Sequence, residues 1–329
     1  MRPGVVRAIV VVLLGAGLLA SGDFGHAQPG RPTPRIGVLQ WNRCLAQDAT
    51  LATALARFGH RPGETVELVC RAGEADYGRL SDAAATLVAS RVDVIAALTH
   101  ITAYAASRAT RTIPIVMMAS GDPVASGLVA SLARPGGNVT GLTYYSAELV
   151  EKRLQLLKEM VPGLVRVGVL GNPQSDHVFG MYRADAERAA QTLQLQPVKV
   201  DASRSADLDG AFDRMTRERV QALLVLTDPA LRDEARRIVE LAAQHRLPAM
   251  YWGPWFVEAG GLAAYGADYD GMVARAAYYV DRILRGARAA DLPVEQPTRF
   301  ELLINTKTAR TLGLSVPPSL LGRADRLLE

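Results

Sequence analysis

One local pattern, an apolar strand followed by an Asx-Pro pair, occurs three times in this chain. The three copies are residues 113–118 before Asp122-Pro123, residues 165–170 before Asn172-Pro173, and residues 222–227 before Asp228-Pro229. An Asp or Asn side chain caps free backbone N–H groups, and proline suits the first helical position. Each pair alone therefore indicates only a helix start. Three such pairs in one chain indicate an α/β protein, in which ligands bind beyond the carboxyl ends of the strands.

Apolar strands alternate with amphipathic helices along the whole chain. The predicted strands are residues 35–40, 65–70, 92–98, 113–118, 139–143, 165–170, 196–200, 222–227, 248–251, 261–265 and 298–304. The predicted helices are residues 46–58, 77–90, 101–110, a helical piece after Asp122-Pro123, and residues 147–161, 178–193, 207–217, 231–245, 270–285 and 307–312. This alternation predicts parallel sheets covered by helices on both faces. The pattern restarts after residue 161, and 329 residues favour two domains over one.

The N-terminus has the three parts of an export signal. Arg2 and Arg7 stand around the start, residues 8–20 are apolar or small, and Gly25-His26-Ala27 is a small-x-small cleavage site. The apolar run is shorter than the roughly 20 residues that span a bilayer. We therefore expect a signal peptide over residues 1–27, a flexible Pro-rich leader over residues 28–34, and a periplasmic mature protein.

The charge distribution does not favour a nucleic-acid partner. The chain has 37 basic and 33 acidic residues, and its arginines are scattered without a basic run or a basic-aromatic strip. The two cysteines, Cys44 and Cys70, lie near the ends of the first two strands. An exported protein permits a disulfide between them, and two separate thiols are equally compatible with the sequence.

Motifs of catalysis are absent from the sequence. It contains no G-x-S-x-G elbow, no H-E-x-x-H pair, no phosphate-binding loop and no metal-ligand spacing, so neither an enzyme nor a cofactor is predicted. Aromatic residues do cluster near strand ends. They are Trp41, Tyr144, Tyr145, Tyr251, Trp252 and Tyr265. Such rings can cover a ligand, although core packing explains any one of them as well.

Three long segments carry a family resemblance. They are IPIVMMASGDPVASGLVASLARPGGNVTGL, RLPAMYWGPWFVEAGGLAAYG and YYVDRILRGARAADLPVEQPTRFELLINTKTARTLGLSVPPSLL. All three closely resemble ABC-transporter substrate-binding proteins related to tryptophan and tyrosine binders, and the resemblance extends from Arg35 to the C-terminus.

The resemblance implies a type I periplasmic binding fold with two Rossmann-like lobes. Lobe 1 would hold residues 35–145 with residues 267–297 returning to it, and lobe 2 would hold residues 146–266. Residues 298–329 would cross back and pack at the lobe junction. A cleft between the lobes would close over the ligand.

The resemblance also implies which residues contact the ligand. Together with Trp41, Tyr144 and Trp252, the expected site residues are Thr99, His100, Ser120, Asp122, Asn172, Ser175, Asp228 and Tyr265. The chain departs from its relatives at Thr99-His100-Ile101, where a small hydroxyl-Pro pair is common, at Ala264, where Ser is common, and in the loop of residues 40–44. These departures lie on the ligand side of the fold.

The expected ligand is a small carboxylate with an apolar body, and an amino acid is the leading candidate, with aromatic and branched side chains among the options. Backbone N–H groups after Ser120 and Asn172 would hold the carboxylate, and Asp228 would pair with the ammonium group. Arg43 and His100 would instead favour an aromatic or organic acid without an amine.

These features predict a monomeric solute receptor for an ABC importer, with a membrane permease and its ATPase as partners. A sensor subunit that presents the ligand to a membrane receptor has the same fold. An exported enzyme with Asp122 or Asp228 as its base is the rival class. Capped carboxylates have a stabilised charge, which suits binding better than proton abstraction.

Overall fold

The computed structural model describes residues 33–44, 47–144 and 147–329. The predicted signal peptide lies outside these residues, so its prediction stays untested. Within the described part of the chain, no helix is long and apolar enough to cross a membrane.

Two sheets organise the structure. The five strands of the first sheet are β1 (Arg35–Gln40), β2 (Glu67–Ala72), β3 (Val94–Ala97), β4 (Ile115–Ser120) and β5 (Val139–Thr143). They lie in the order β2-β1-β3-β4-β5, and every neighbouring pair is parallel. Such a sheet is normally covered on both faces, and β1 shows this because Ile36 and Val38 join one buried cluster while Leu39 joins the other.

The second sheet has seven strands. They are β6 (Arg166–Gly171), β7 (Gln196–Asp201), β8 (Ala222–Val225), β9 (Ala249–Tyr251), β10 (Ala263–Ala267), β11 (Phe300–Asn305) and β12 (Arg326–Leu328). Their order is β12-β11-β10-β9-β8-β6-β7. Strand β11 runs antiparallel to β10, and the other neighbouring pairs are parallel. The predicted α/β fold with parallel sheets is therefore confirmed, except that β11 and β12 run opposite to the other five strands of the second sheet.

Helices pack against both sheets. In chain order they are α1 (Gln47–Ala56), α2 (Tyr77–Ala89), α3 (His100–Ala109), α4 (Ala147–Met160), α5 (Asp176–Thr192), α6 (Ser205–Arg217), α7 (Pro229–Asp233), α8 (Ala235–Gln244), α9 (Pro254–Glu258), α10 (Tyr269–Leu284), α11 (Thr306–Thr311) and α12 (Pro318–Leu321). Helix α10 follows the second sheet in sequence but packs on α1, β3, β4 and β5 of the first sheet. The exact boundaries of the two lobes remain a prediction.

Two local predictions were wrong. The segment after Asp122-Pro123 forms consecutive turns rather than a helix. The single helix predicted over residues 231–245 is two helices, α7 and α8, which meet at Glu234. In the first case the Asp122 carboxylate caps two N–H groups as expected, and the Ser126 N–H donates to the Asp122 carbonyl as in a helix, but the Gly127 N–H donates to Val124 instead and the helical pattern stops.

Candidate functional site

A cavity of about 500 Å³ lies where the carboxyl ends of the two sheets face each other. In the first sheet the strand order reverses direction between β1 and β3, and in the second between β6 and β8. Ligands bind at such switch points in open α/β sheets. The cavity is lined by Gln40, Trp41, Asn42, Arg43, Thr50, Leu98, Thr99, His100, Ala119, Gly121, Tyr144, Tyr182, Thr227, Pro229, Arg232, Asp233, Trp252, Trp255 and Tyr269.

Aromatic side chains form one continuous wall of this cavity. Trp252 packs edge-on against Tyr144, with ring centroids 6.0 Å apart, and against Trp255, at 4.8 Å. Trp255 in turn meets Tyr269 at 5.8 Å. Trp41, from the loop after β1, adds a buried indole and packs on Tyr77 outside the cavity lining. Edge-to-face packing of this kind fixes ring positions, so the wall is a preformed apolar surface.

Two glycines permit the close approaches that this wall requires. A Cβ atom on Gly253 would come within 2.2 Å of the Trp255 ring, so only glycine lets Trp255 fold back beside Trp252. A Cβ atom on Gly266 would come within 2.4 Å of the Tyr144 hydroxyl. Because that space stays open, the Tyr144 hydroxyl donates to the Trp252 carbonyl at 2.7 Å and joins the two sheets.

Charged groups of both signs lie at the mouth of the cavity. The Arg232 guanidinium stacks over Trp255, 4.2 Å from the ring centroid, and Arg43 lies exposed in the loop after β1. Asp233 accepts a hydrogen bond from the Asn42 amide across the cleft at 3.0 Å. Desolvation raises the pKa of Asp233, while the Asn42 hydrogen bond and the charges of Arg232 and Arg43 oppose that rise. Asp233 remains exposed to solvent. It is the one carboxylate among the described residues that line the cavity.

The loop that carries Trp41 and Arg43 is fastened to the neighbouring loop. Backbone N–H groups of Gly73, Glu74 and Ala75 donate to the carbonyls of Gln40, Asn42 and Trp41. A disulfide joins Cys44 to Cys70, which settles the choice that the sequence left open. These links hold the first-sheet side of the cavity in place.

Asp228 lies behind the cavity rather than on its surface. Its buried carboxylate accepts from the backbone N–H groups of Ala230 and Leu231 at 2.8 and 3.1 Å. It also accepts from the Asn172 amide at 3.4 Å and from the Ser175 hydroxyl. Burial raises the pKa of Asp228, and these donors oppose that rise. The carboxylate therefore ties α7 to the turn after β6.

Tyr77 extends this network to the first sheet, because its hydroxyl is hydrogen-bonded to Ser175. Burial and the nearby negative charge of Asp228 raise the pKa of Tyr77 to about 12.

Arg153 is the largest fully buried side chain of the described residues, and it lies beside the cavity. Its Nε donates to the Tyr265 carbonyl at 2.7 Å. One terminal nitrogen donates to Thr227 Oγ1 at 3.4 Å, and the other donates to the Tyr144 hydroxyl oxygen at 3.5 Å. Thr227 and Tyr144 both line the cavity.

The structure brings five of the predicted site residues together around the cavity. These are Trp41, Thr99, His100, Tyr144 and Trp252. Thr99 caps α3 with its side chain, and His100 is fully buried against Gly121. Their roles in ligand binding stay predictions.

Of the other six predicted site residues, five lie away from the cavity lining and one cannot be placed. Asn172, Ser175 and Asp228 form the buried network behind the cavity, and the Asp122 carboxylate caps the N–H groups of Val124 and Ala125. The side chain of Ser120 lies outside the described part of the structure. Tyr265 lines a separate groove and stacks on Phe300, with centroids 6.1 Å apart.

Sequence reasoning missed several lining or supporting residues. Arg232 and Asp233 lie one helical turn beyond the Asp228-Pro229 pair, and Trp255 lies in the same segment as Trp252. Their nearness to recognised motifs was a usable signal. The sequence did not indicate that Arg153 is buried, because it lies in an amphipathic helix where an arginine is normally exposed.

Comparisons with known proteins agree with this geometry. The family model described as ABC transporter substrate binding protein matches residues 42–328. A curated relative, the tyrosine-binding protein of Clostridioides difficile strain R20291, is 28% identical over 262 residues, which are 79% of this chain and 74% of the relative.

Two solved structures bear on the conformation. The ABC domain from Streptococcus pneumonia in complex with L-Trp is 25% identical, with a TM-score of 0.83 over 90% of this chain and 100% of that one. A ligand-free, open substrate-binding protein from Clostridium difficile is also 25% identical, over 90% of this chain and 99% of that one, but its TM-score is 0.66. The fold is that of the type I periplasmic binding proteins, as predicted.

Proposed function

This chain belongs to the family of ABC transporter substrate-binding proteins, and on that premise we propose that it captures an amino acid with a large apolar side chain for an importer. Proteins of the family bind small-molecule ligands, work with an ABC transporter and are extracellular or periplasmic. The chain is thus a solute-binding receptor.

The residues that line the cavity are the main support for an amino acid as the ligand. An amino acid needs an apolar surface for its side chain and groups of both signs for its two charged ends. The cavity offers the aromatic wall of Tyr144, Trp252 and Trp255, and it offers Arg232 and Asp233 at its mouth. A volume of about 500 Å³ suits a ligand of this size.

Asp233 is a better candidate than Asp228 for pairing with the ammonium group. The Asp228 carboxylate already accepts from four donors and lies behind the cavity lining. Asp233 lines the cavity directly, and an ionised acceptor there forms a charge-assisted hydrogen bond with an ammonium group.

The names of the relatives point to the same ligand class. One is called a tyrosine-binding protein, and another was solved with L-Trp. Tryptophan and tyrosine therefore head the candidates, followed by phenylalanine and leucine.

Ligand capture by closure of the cleft fits the contacts between the sheets. Asn42 bonds Asp233, and Tyr144 bonds Trp252, each across the cleft. The chain is also more similar to the L-Trp complex than to the ligand-free, open relative at equal identity. A ligand that contacts both sides favours the closed state by its difference in affinity for the two states.

The remaining parts of the proposal concern partners and catalysis. The receptor works as a monomer, reaches the periplasm through the signal peptide over residues 1–27, and delivers its solute to a permease with an ATPase. It performs no catalysis. Neither Asp122 nor Asp228 lines the cavity, and each caps backbone N–H groups, so neither carboxylate is positioned to take a proton from a ligand.

An aromatic acid without an amine is the second candidate ligand. The lining contains two arginines, Arg43 and Arg232, against one carboxylate, Asp233. This excess of positive charge favours a ligand with net negative charge.

Thermal unfolding of the mature chain, residues 28–329, tests the proposal when a panel of ligands is added. The panel contains amino acids, aromatic acids, nucleobases and neutral sugars. Because ligand that binds only the folded state raises its melting temperature, tryptophan or tyrosine should give the largest shift. A shift with sugars alone would contradict the proposal, and turnover of any panel member would contradict the absence of catalysis.

A further inference from the structure

Arg153 carries a positive charge that has no counter-charge among the described residues. Its three hydrogen bonds go to a carbonyl and two hydroxyl oxygens, all of them neutral, and the side chain is only 1% exposed. A buried charge is costly unless an opposite charge compensates it. The other deeply buried arginine, Arg183, is by contrast ion-paired with Asp201 at 2.9 Å.

The hydrogen bonds of Arg153 direct its charge toward the cavity. Thr227 Oγ1 accepts from Arg153 and lines the cavity, so its own O–H proton is available to an acceptor there. The Tyr144 hydroxyl also accepts from Arg153, but its proton goes to the Trp252 carbonyl. Of the two hydroxyls, only Thr227 can therefore pass a hydrogen bond from Arg153 to a ligand.

We propose that the ligand's carboxylate binds against Thr227 and supplies the missing counter-charge of Arg153. The inference rests on the proposed function, because it needs a ligand with a carboxylate. Arg153 acts as a positioning and specificity-determining residue. It does not touch the ligand, and it makes the receptor select a carboxylate over a neutral group of similar shape. A buried charge acts in a low dielectric, where its effect on a second charge is larger than at the exposed mouth of the cavity.

The two charged ends of an amino acid then bind at different places in the cavity. The carboxylate lies at the inner end, next to β8, and the ammonium group faces Asp233 at the mouth. Arg43 and Arg232 then serve to attract anions, which is an effect that salt screens strongly at an exposed site. Selection against uncharged analogues comes from Arg153.

Calorimetric titration of the mature chain with L-tryptophan and L-tryptophanamide tests the inference. The amide keeps the ammonium group and the indole but replaces the carboxylate by a neutral carboxamide, and L-leucine with L-leucinamide is a second pair. The wild type should prefer the acid. Arg153→Met should lower that preference roughly 10- to 100-fold, since a hydrogen-bonded charge is removed. Arg153→Lys, which keeps the charge, should restore part of it.

Two further variants separate charge from structure. Thr227→Val should lower the preference with Arg153 in place, and its effect should not add to that of Arg153→Met, because both act through one chain of hydrogen bonds. Arg183→Met is the matched control. It removes a buried arginine elsewhere, so it should lower the melting temperature and leave the ratio of the two affinities unchanged.

The results distinguish failure of the proposed role of Arg153 from failure of the proposed function. An unchanged acid-to-amide ratio in folded Arg153→Met contradicts the inference and leaves the proposed function intact. If Arg153→Met does not fold, an unchanged ratio in Thr227→Val has the same force. A wild type that binds neither tryptophan nor leucine contradicts the proposed function and the inference together.

Discussion

Two Asp-Pro turns follow parallel strands in this protein, and their surroundings give them different roles. The Asp122 carboxylate is partly exposed and, within the described part of the chain, accepts only from the N–H groups of Val124 and Ala125, both at 2.9 Å. The Asp228 carboxylate is buried and accepts from Asn172 and Ser175 as well as from two N–H groups. The first turn is a local cap, and the second joins two segments of the second sheet. The same dipeptide therefore fixes the local backbone but not the role of the carboxylate.

The largest expected difference between the turns is in stability. Asp228→Ala leaves two side-chain donors and two N–H groups without their acceptor in a buried site, so it should cost about 3 kcal/mol or more. Asp122→Ala removes an ordinary cap and should cost about 1 kcal/mol. Urea unfolding of both variants measures the two values. Equal losses would show that the buried network adds nothing to the cap.

Substitution of Asp233 should weaken ligand binding more than substitution of Asp122 or Asp228 does. Asp233→Asn removes the proposed partner of the ammonium group. Because the Asp233 carboxylate is exposed to solvent, the loss should be about 1–2 kcal/mol of binding free energy. Asp122→Asn should change affinity by less than about 0.5 kcal/mol, since its carboxylate does not line the cavity. Calorimetry with L-tryptophan gives both numbers. If a folded Asp228→Asn variant loses more binding free energy than Asp233→Asn, then Asp228 rather than Asp233 pairs with the ammonium group.

A smaller effect concerns pH. Burial raises the pKa of Asp228, so the folded protein takes up a proton there at a higher pH than the unfolded chain does. As pH falls through this raised pKa, protonation favours the folded state, and the gain ends below the ordinary Asp pKa of about 3.9. The stability of the wild type relative to Asp228→Asn should therefore increase from pH 7 to about pH 4. Paired unfolding curves at the two pH values check the sign, and a relative decrease would mean that the donors outweigh burial.

Much of the fold could be predicted because it depends on local pattern. Periodicity located every strand of both sheets except β12, with bounds that agree fully for β1 and β5 and differ by one or two residues for the others. Strand β11 was predicted over residues 298–304, but its antiparallel direction could not be, since strand direction depends on how a distant connection packs. The helix predicted after Asp122 was wrong because a good cap does not supply the hydrogen bonds of the next turn.

The site was harder to predict than the fold. The strand ends pointed to Trp41, His100 and Trp252, which do meet at the cavity. They did not distinguish Asp228, behind the cavity, from Asp233, five residues later and at its mouth. Arg153 stayed hidden because its burial depends on packing between α4 and the second sheet, which no local pattern records.

The most direct test of the central claim, that the cavity between the sheets binds a zwitterionic amino acid, is a titration of the mature chain with three matched ligands. L-tryptophan has both charges, indole-3-propionate lacks the ammonium group, and tryptamine lacks the carboxylate. L-tryptophan should bind tightest, and loss of either charge should weaken binding by roughly tenfold or more. Equal or tighter binding of indole-3-propionate would contradict the claim and favour an aromatic acid as the ligand.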